Sequence, residues 1–199
     1  ARMYKENYQR TAAQENFGSY EEYLKSLEMT GCFYPFDMEH APRITQLINK
    51  TNQFNLTTRR YSAAPVEGMI QNPEYITLYG QLADKFGDNG IVSAIIGHRE
   101  KSNLEIELWI MSCRTFKRQM EFAMFDHLVE ACQNSGITTL TGHYSPTPKN
   151  LLVQDFYGTI GFEETECDDQ GNKHYLYRIP EAFIPLCQVI QSQTNPTKE

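Results

Sequence analysis

Between Leu104 and Met111 the side chains change character at every step, with Leu104, Ile106, Leu108 and Ile110 alternating with Glu105, Glu107, Trp109 and Met111. A period of two sets the four aliphatics on one face of a strand, as a half-buried sheet requires. The spacing then switches. Over 117–135 the apolar positions Met120, Ala123, Met124, Leu128 and Ala131 recur at helical intervals, broadened by Phe122, Phe125 and Val129, and Gly136 closes the helix. Ile137–Tyr144 reads as a strand again. A strand–helix–strand unit of this kind belongs to a sheet with helices packed against it.

The flanking segments extend that sheet. Residues 30–36 form a first strand, restricted by Pro35 to an edge or to its own end. Asp37 caps a helix over 38–51 with Ile44, Leu47 and Ile48 inward, and Ser62 caps a short helix running to about Gln71. Residues 75–82 and 90–97 are strands joined by a tight turn at Gly87-Asp-Asn-Gly90. A helix over 149–160 follows the fifth strand, and 162–167 with 174–179 make a hairpin around Asp168–Asn172. The predicted order is β-α-α-β-β-β-α-β-α-β-β in one mixed sheet. Residues 1–29 read as a helical lead-in, with a capping box at Ser19-Tyr-Glu-Glu22. The helical pattern is already under way at Ala1, as in a chain that continues upstream. Residues 181–199 read as a tail with one apolar patch at Phe183, Ile184 and Leu186, ending polar and disordered.

Composition narrows function by exclusion. The net charge of −7 leaves no basic field for a phosphate backbone, which argues against nucleic-acid binding. No apolar run approaches the roughly 20 residues of a membrane span, and no signal peptide is visible. Five scattered cysteines without a Cys-x-x-Cys pair indicate neither a zinc site nor a disulfide framework, and fit reduced thiols in a cytoplasm. Two glycosylation-type tripeptides, at Asn49 and Asn55, read as coincidence.

The segment from Asn150 through Tyr157 to Gly161-Phe162 resembles the last conserved motif of the GNAT acyltransferase superfamily. Asn150 and Tyr157 stand seven residues apart, nearly two helical turns, so a helix would project both from one face. The resemblance implies an α/β (α+β) GNAT-type fold, a mixed central sheet with helices on both faces over residues 30–180. It implies coenzyme A, or the phosphopantetheine of a carrier protein, as cofactor, with the pantetheine arm lying where the fourth and fifth strands splay. In that family the loop after the fourth strand reads Gln/Arg-x-x-Gly-x-Gly/Ala and holds a diphosphate on bare backbone N–H groups. The matching stretch, Arg114-Thr-Phe116-Lys117-Arg118-Gln119, has Lys117 and Gln119 where glycines stand in the family.

A closer resemblance is to the C-terminal region of FkbH-like proteins. Thr51-Asn-Gln-Phe-Asn-Leu-Thr-Thr-Arg-Arg-Tyr61, Met111-Ser-Cys-Arg114, and Gly142 to Asn150 leading into Asp155-Phe-Tyr157 carry it, over about residues 1–180. It implies an upstream HAD-like domain, whose Asp-x-Asp motif this chain lacks, and an acyl carrier protein as partner. Its implied setting is methoxymalonyl extender-unit synthesis for polyketides, starting from a glyceryl thioester.

Site expectations follow. Tyr157 resembles the residue that protonates a departing thiolate, or is a core tyrosine. Cys113 is a nucleophile at the end of the fourth strand, or an inert buried thiol. His143 is a base beside the cleft, or structural. Glu107 is at best a distant base. Arg114, Phe116, Lys117, Arg118, Gln119 and Asn150 are the cofactor-binding candidates. Asn52, Asn55, Thr58, Arg59 and Arg60, from a polar loop of the kind that binds ligands, join Thr147 and Lys149 as substrate-binding candidates. No metal ligands are expected. A GNAT-fold module that only docks the carrier protein is the rival reading.

Overall fold

The computed structural model describes residues 1–194. Its sheet runs β7-β8-β6-β5-β4-β3-β1-β9, with β2 paired to β5 off that path. The strands are β1 (Met29–Tyr34), β2 (Phe54–Asn55), β3 (Tyr75–Asp84), β4 (Gly87–Glu100), β5 (Asn103–Met111), β6 (Thr139–Tyr144), β7 (Glu163–Cys167), β8 (Lys173–Arg178) and β9 (Ile190–Ser192). Only β5–β6 and β1–β9 pair in parallel; the rest are antiparallel.

The alternation in β5 feeds two cores, one on each side of the sheet. Leu108 and Ile110 join Tyr79, Ala94 and Ile96 beneath α3 (Ala41–Lys50) and α4 (Ala63–Met69), which contribute Ile44, Leu47, Ile48, Val66 and Met69. On the opposite face Leu104, Ile106 and Trp109 pack with α5 (Met120–Asn134) through Met120, Met124, Phe125, Leu128 and Val129. The switch of face within one strand comes from a bulge: Ile96 of β4 faces Leu108 whereas Gly97 faces Ile106, leaving Glu107 as the extra residue. Fully burying Trp109 or Phe125 contributes on the order of 2–3 kcal/mol each.

Several boundaries differ from the sequence expectations. The β3–β4 turn falls at Lys85-Phe86, where the Asp84 side chain accepts the N–H groups of Phe86 (2.9 Å) and Gly87 (3.2 Å). An aspartate that can cap its own turn outcompetes the glycine pair downstream, and Gly90 lies inside β4 at φ +67°. Residues 149–160 form a 3-10 turn at Leu151–Val153 and a short α6 at Phe156–Thr159, not one helix. α5 starts at Met120, three residues beyond 117. The tail, expected disordered, pairs β9 alongside Met29–Gly31 of β1; residues 195–199 lie outside the described residues.

The lead-in packs onto this body. α1 (Arg2–Gln14) and α2 (Tyr20–Ser26) bury Tyr23, Leu24 and the following Leu27, and Ser19 caps α2 by accepting the Glu22 N–H at 3.1 Å. Polar residues dock α1. Arg10 grips Asp84 through two bonds of 2.6 and 2.9 Å, and Arg118 reaches the same carboxylate at 2.9 Å. Burial alone would push the Asp84 carboxyl up; the Arg10 bonds, the Phe86 N–H and the two guanidinium charges outweigh it and hold the group below the ordinary carboxylate range. Among the described residues no helix is long and apolar enough to cross a membrane, and no group of His, Cys, Asp or Glu is placed to hold a metal ion.

Candidate functional site

β5 and β6 pair only from Asn103↔Thr139 to Ile106↔Gly142. Beyond that point Glu107–Met111 and His143–Tyr144 part, at the place where a GNAT-type sheet would open for a pantetheine arm. The wedge is already filled by the chain itself. Phe54 and Asn55 pair with Met111 and Ile110, the Leu56 N–H donates to the Trp109 carbonyl (3.3 Å), and the Thr57 hydroxyl donates to the Glu107 carbonyl (2.8 Å). On the other edge the Leu56 carbonyl accepts the Ser145 N–H at 2.8 Å. Residues 54–57 therefore lie like an inserted strand, satisfying the backbone groups that the parting of β5 and β6 leaves free.

Asn150 fastens this strap. Its fully buried amide donates to the carbonyls of Asn55 and Ser145, both at 2.9 Å, while its oxygen accepts the Thr147 N–H (2.7 Å) and the Tyr144 hydroxyl (3.3 Å). The motif residue is thus a structural clasp, not a cofactor ligand, and without a continuous helix it shares no helical face with Tyr157.

The three catalytic candidates lie in three separate places. Tyr157 is sealed, 1% exposed, its ring packed against Trp109, Phe162 and Tyr175. Gly142 is what admits it, since a Cβ there would sit 2.7 Å from the ring. The hydroxyl finds no partner among the described residues, and burial pushes it far above the ordinary phenol. It packs as a core residue. Cys113 is exposed and lines a cleft at the end of β5. His143 lines a different cavity, of about 390 Å³, with its Nε2 3.2 Å from Glu105 Oε1 and its ring edge-on to His174. Burial lowers its pKa below the ordinary value, with help from His174 and Arg59 and against Glu105. Glu107 faces Arg59 at 3.8 Å and accepts from Tyr61 at 3.5 Å. The thiol and the imidazole therefore cannot work as one nucleophile–base pair.

The loop after β5 keeps an unusual backbone. Lys117 and Gln119, at the two positions that are glycine in the resembling family, both take positive φ, +61° and +64°. Much of this loop is otherwise engaged. Arg118 is buried on Asp84 and Asn89, Phe116 packs on Phe54, Tyr20 donates to the Lys117 carbonyl, and Gln119 Oε1 accepts the Gln188 N–H at 3.1 Å. Glu121, in the first turn of α5, has one buried carboxyl oxygen without a partner among the described residues, and burial pushes its carboxyl up. Residues 54–57 fill the wedge, and Glu121 stands at the helix end that in the resembling family faces the diphosphate.

What remains open is the cleft of about 720 Å³ beside Cys113. Arg43, Lys50, Arg114 and Lys149 line it, no carboxylate does, and none of the four has an ion-pair partner within 4 Å among the described residues. Asn52 also lines it, its side chain accepting from Arg60. Arg60 turns inward and donates to the carbonyls of Ile48 (2.7 Å) and Thr51 (3.0 Å), closing the end of α3 instead of facing a ligand. Asn55, Thr58 and Thr147 are likewise held in local turns, Asn55 accepting the Thr58 N–H (2.8 Å) and Thr147 the Asn150 N–H (3.2 Å). Arg59 belongs with Glu107, away from the cleft. Sequence reading missed Arg43 and Lys50, although their spacing of seven along α3, opposite Ile44 and Ile48, is a helical signal.

No family model matches the chain, and no curated protein matches it. Solved structures do. The ribosomal-protein-S18-alanine N-acetyltransferase of Escherichia coli superposes with a TM-score of 0.57 at 14% identity, covering 80% of this chain and 100% of that one. The putative acetyltransferase yncA of Salmonella typhimurium, solved with its cofactor acetyl-CoA, gives 0.57 at 14%, covering 80% and 99%. The PaiA N-acetyltransferase of Thermoplasma acidophilum, in complex with coenzyme A, gives 0.54 at 12%, covering 75% and 99%. The chain has the GNAT acetyltransferase fold. Against that GNAT frame, the filled wedge and the basic cleft are the features of this chain that bear on what it binds.

Proposed function

We propose that this chain is an acyl-transfer domain of the FkbH-like kind, acting on an acyl or glyceryl thioester that a carrier protein presents on its phosphopantetheine, within methoxymalonyl-type extender-unit synthesis. One observation carries the reading: an accessible thiol stands in a cleft with four unpaired cations on a chain whose net charge is −7. Such a cleft concentrates positive potential where an arm bearing a phosphate enters, and Arg114 and Lys149 suit that phosphate through charge-assisted hydrogen bonds. In this reading the Cys113 sulfur attacks the thioester carbonyl, and a carbon–sulfur bond forms as the bond to pantetheine breaks. The thiol proton goes to the departing sulfur, and the acyl group then passes to an acceptor, restoring the thiol. The upstream HAD-like domain and a reducing, cytoplasmic setting belong to the same reading.

A second reading, a module that docks the carrier without chemistry of its own, is favoured by the sealed Tyr157 and by the separation of His143 from Cys113. Intact-mass measurement after incubation with acyl carrier protein separates the two. An acyl mass on the wild type and on Tyr157→Phe but not on Cys113→Ala supports transfer. Carrier binding without any mass gain supports docking. Absence of binding to apo, holo and acyl carrier alike sinks both.

A further inference from the structure

Phe54 and Met111 line two cavities at once: the basic cleft beside Cys113 and a smaller one of about 320 Å³. The smaller cavity is walled mainly by Phe116, Val153 and Phe156, with Leu151 and Leu152 at its rim, 56% and 64% exposed, and Lys117, Glu121 and Asp155 also line it. Two adjacent leucines held in water beside an apolar hollow are a poor surface and a good binding rim. The Phe54 ring lines both cavities and packs against Phe116 (ring centres 6.2 Å apart) and, edge-on, against Phe156 (5.0 Å).

We infer that Phe54 is the end-stop for an apolar acyl chain whose charged end sits among the cations of the basic cleft, and that it sets the chain length this domain accepts. The inference rests on the proposed function. It commits to one occupant because the two cavities share Phe54 and Met111 as lining: cations and Cys113 on one side suit an anionic thioester, and the largely apolar wall on the other suits methylenes. Short acyl groups end at Phe54. Longer ones need its place.

The test is calorimetric titration of straight-chain acyl phosphopantetheines, acetyl to decanoyl, into wild type, Phe54→Ala and Phe54→Leu, each checked for folding by its thermal transition. For wild type the affinity stops rising at short chains. With Phe54→Ala it continues to rise, by up to about fourfold per added methylene, the transfer value for a buried CH₂. Phe54→Leu gives an intermediate profile and serves if the alanine variant does not fold. Adding Leu152→Trp to Phe54→Ala refills the apolar cavity from its exposed rim and removes the gain. A chain-length profile identical in wild type and both Phe54 variants overturns the end-stop while leaving the proposed function standing. Failure of the acetyl probe to bind wild type overturns the proposed function, and the end-stop with it.

Discussion

Replacing Asn150 with aspartate keeps the shape of the clasp and reverses half of its chemistry. Two N–H donations of 2.9 Å, to the carbonyls of Asn55 and Ser145, are lost, and an oxygen is left facing both acceptors in a fully buried place. An unsatisfied buried acceptor costs about 1–3 kcal/mol, so Asn150→Asp is expected to destabilise the fold by roughly 2–6 kcal/mol when the new group is ionised. Protonation restores one donor. The folded-state pKa of the introduced carboxyl must therefore lie above its unfolded value of about 3.9. The sign follows: the penalty is smallest below about pH 4, grows by up to about 1.4 kcal/mol per pH unit as pH rises, and levels off above the folded pKa. Urea unfolding at several pH values between 4 and 8 measures it, with Asn150→Ala as the variant whose penalty does not vary with pH. A penalty below about 1 kcal/mol, or one independent of pH for aspartate, refutes the view that this amide holds the strap in the wedge.

Lys117→Gly is expected to stabilise the protein by about 1 kcal/mol in urea unfolding, because φ of +61° strains any residue with a Cβ and suits glycine. Tyr157→Phe removes a buried hydroxyl without a partner and leaves stability unchanged or raised by about 1 kcal/mol; in an acyl-transfer assay it leaves turnover within a few-fold, whereas a hundredfold loss would restore Tyr157 as a general acid. Because burial lowers the His143 pKa, the unfolded chain takes up a proton there first, so stability falls as pH drops below about 6.5. His143→Gln should flatten that part of the stability–pH curve, as followed by urea midpoints.

How much of this was legible depended on whether apolar residues carried the signal. β5, α5 and Gly136 follow from hydrophobic spacing, and Gly136 does take positive φ, +72°. Gly161 also lies at positive φ, +100°, as the strand entry after Tyr157 requires. The strap escaped notice because only Phe54 and Leu56 are apolar in a polar run, and its partners on β5 lie some fifty residues away. α1 shows no apolar core face because what it buries is Glu6, paired with Arg2 one turn back, and Arg10, whose partner Asp84 is distant and reported by no local pattern. Arg60 and Arg118 read as ligand-facing cations, yet one caps a helix end and the other closes an internal ion pair. A guanidinium in a sequence gives no sign of whether its acceptor is a substrate or a carbonyl.

β9 is three residues long, but its position beside β1 has a further consequence. Clipping the chain after residue 180 would bare one whole side of Met29–Gly31 and free the α5 surface that Asp126 now holds to the Leu186 and Cys187 amides. An uncovered strand edge of that kind recruits a second copy of itself. A shortened form should therefore sediment as dimers and larger species, and the tail would prove to be what keeps the sheet from self-association.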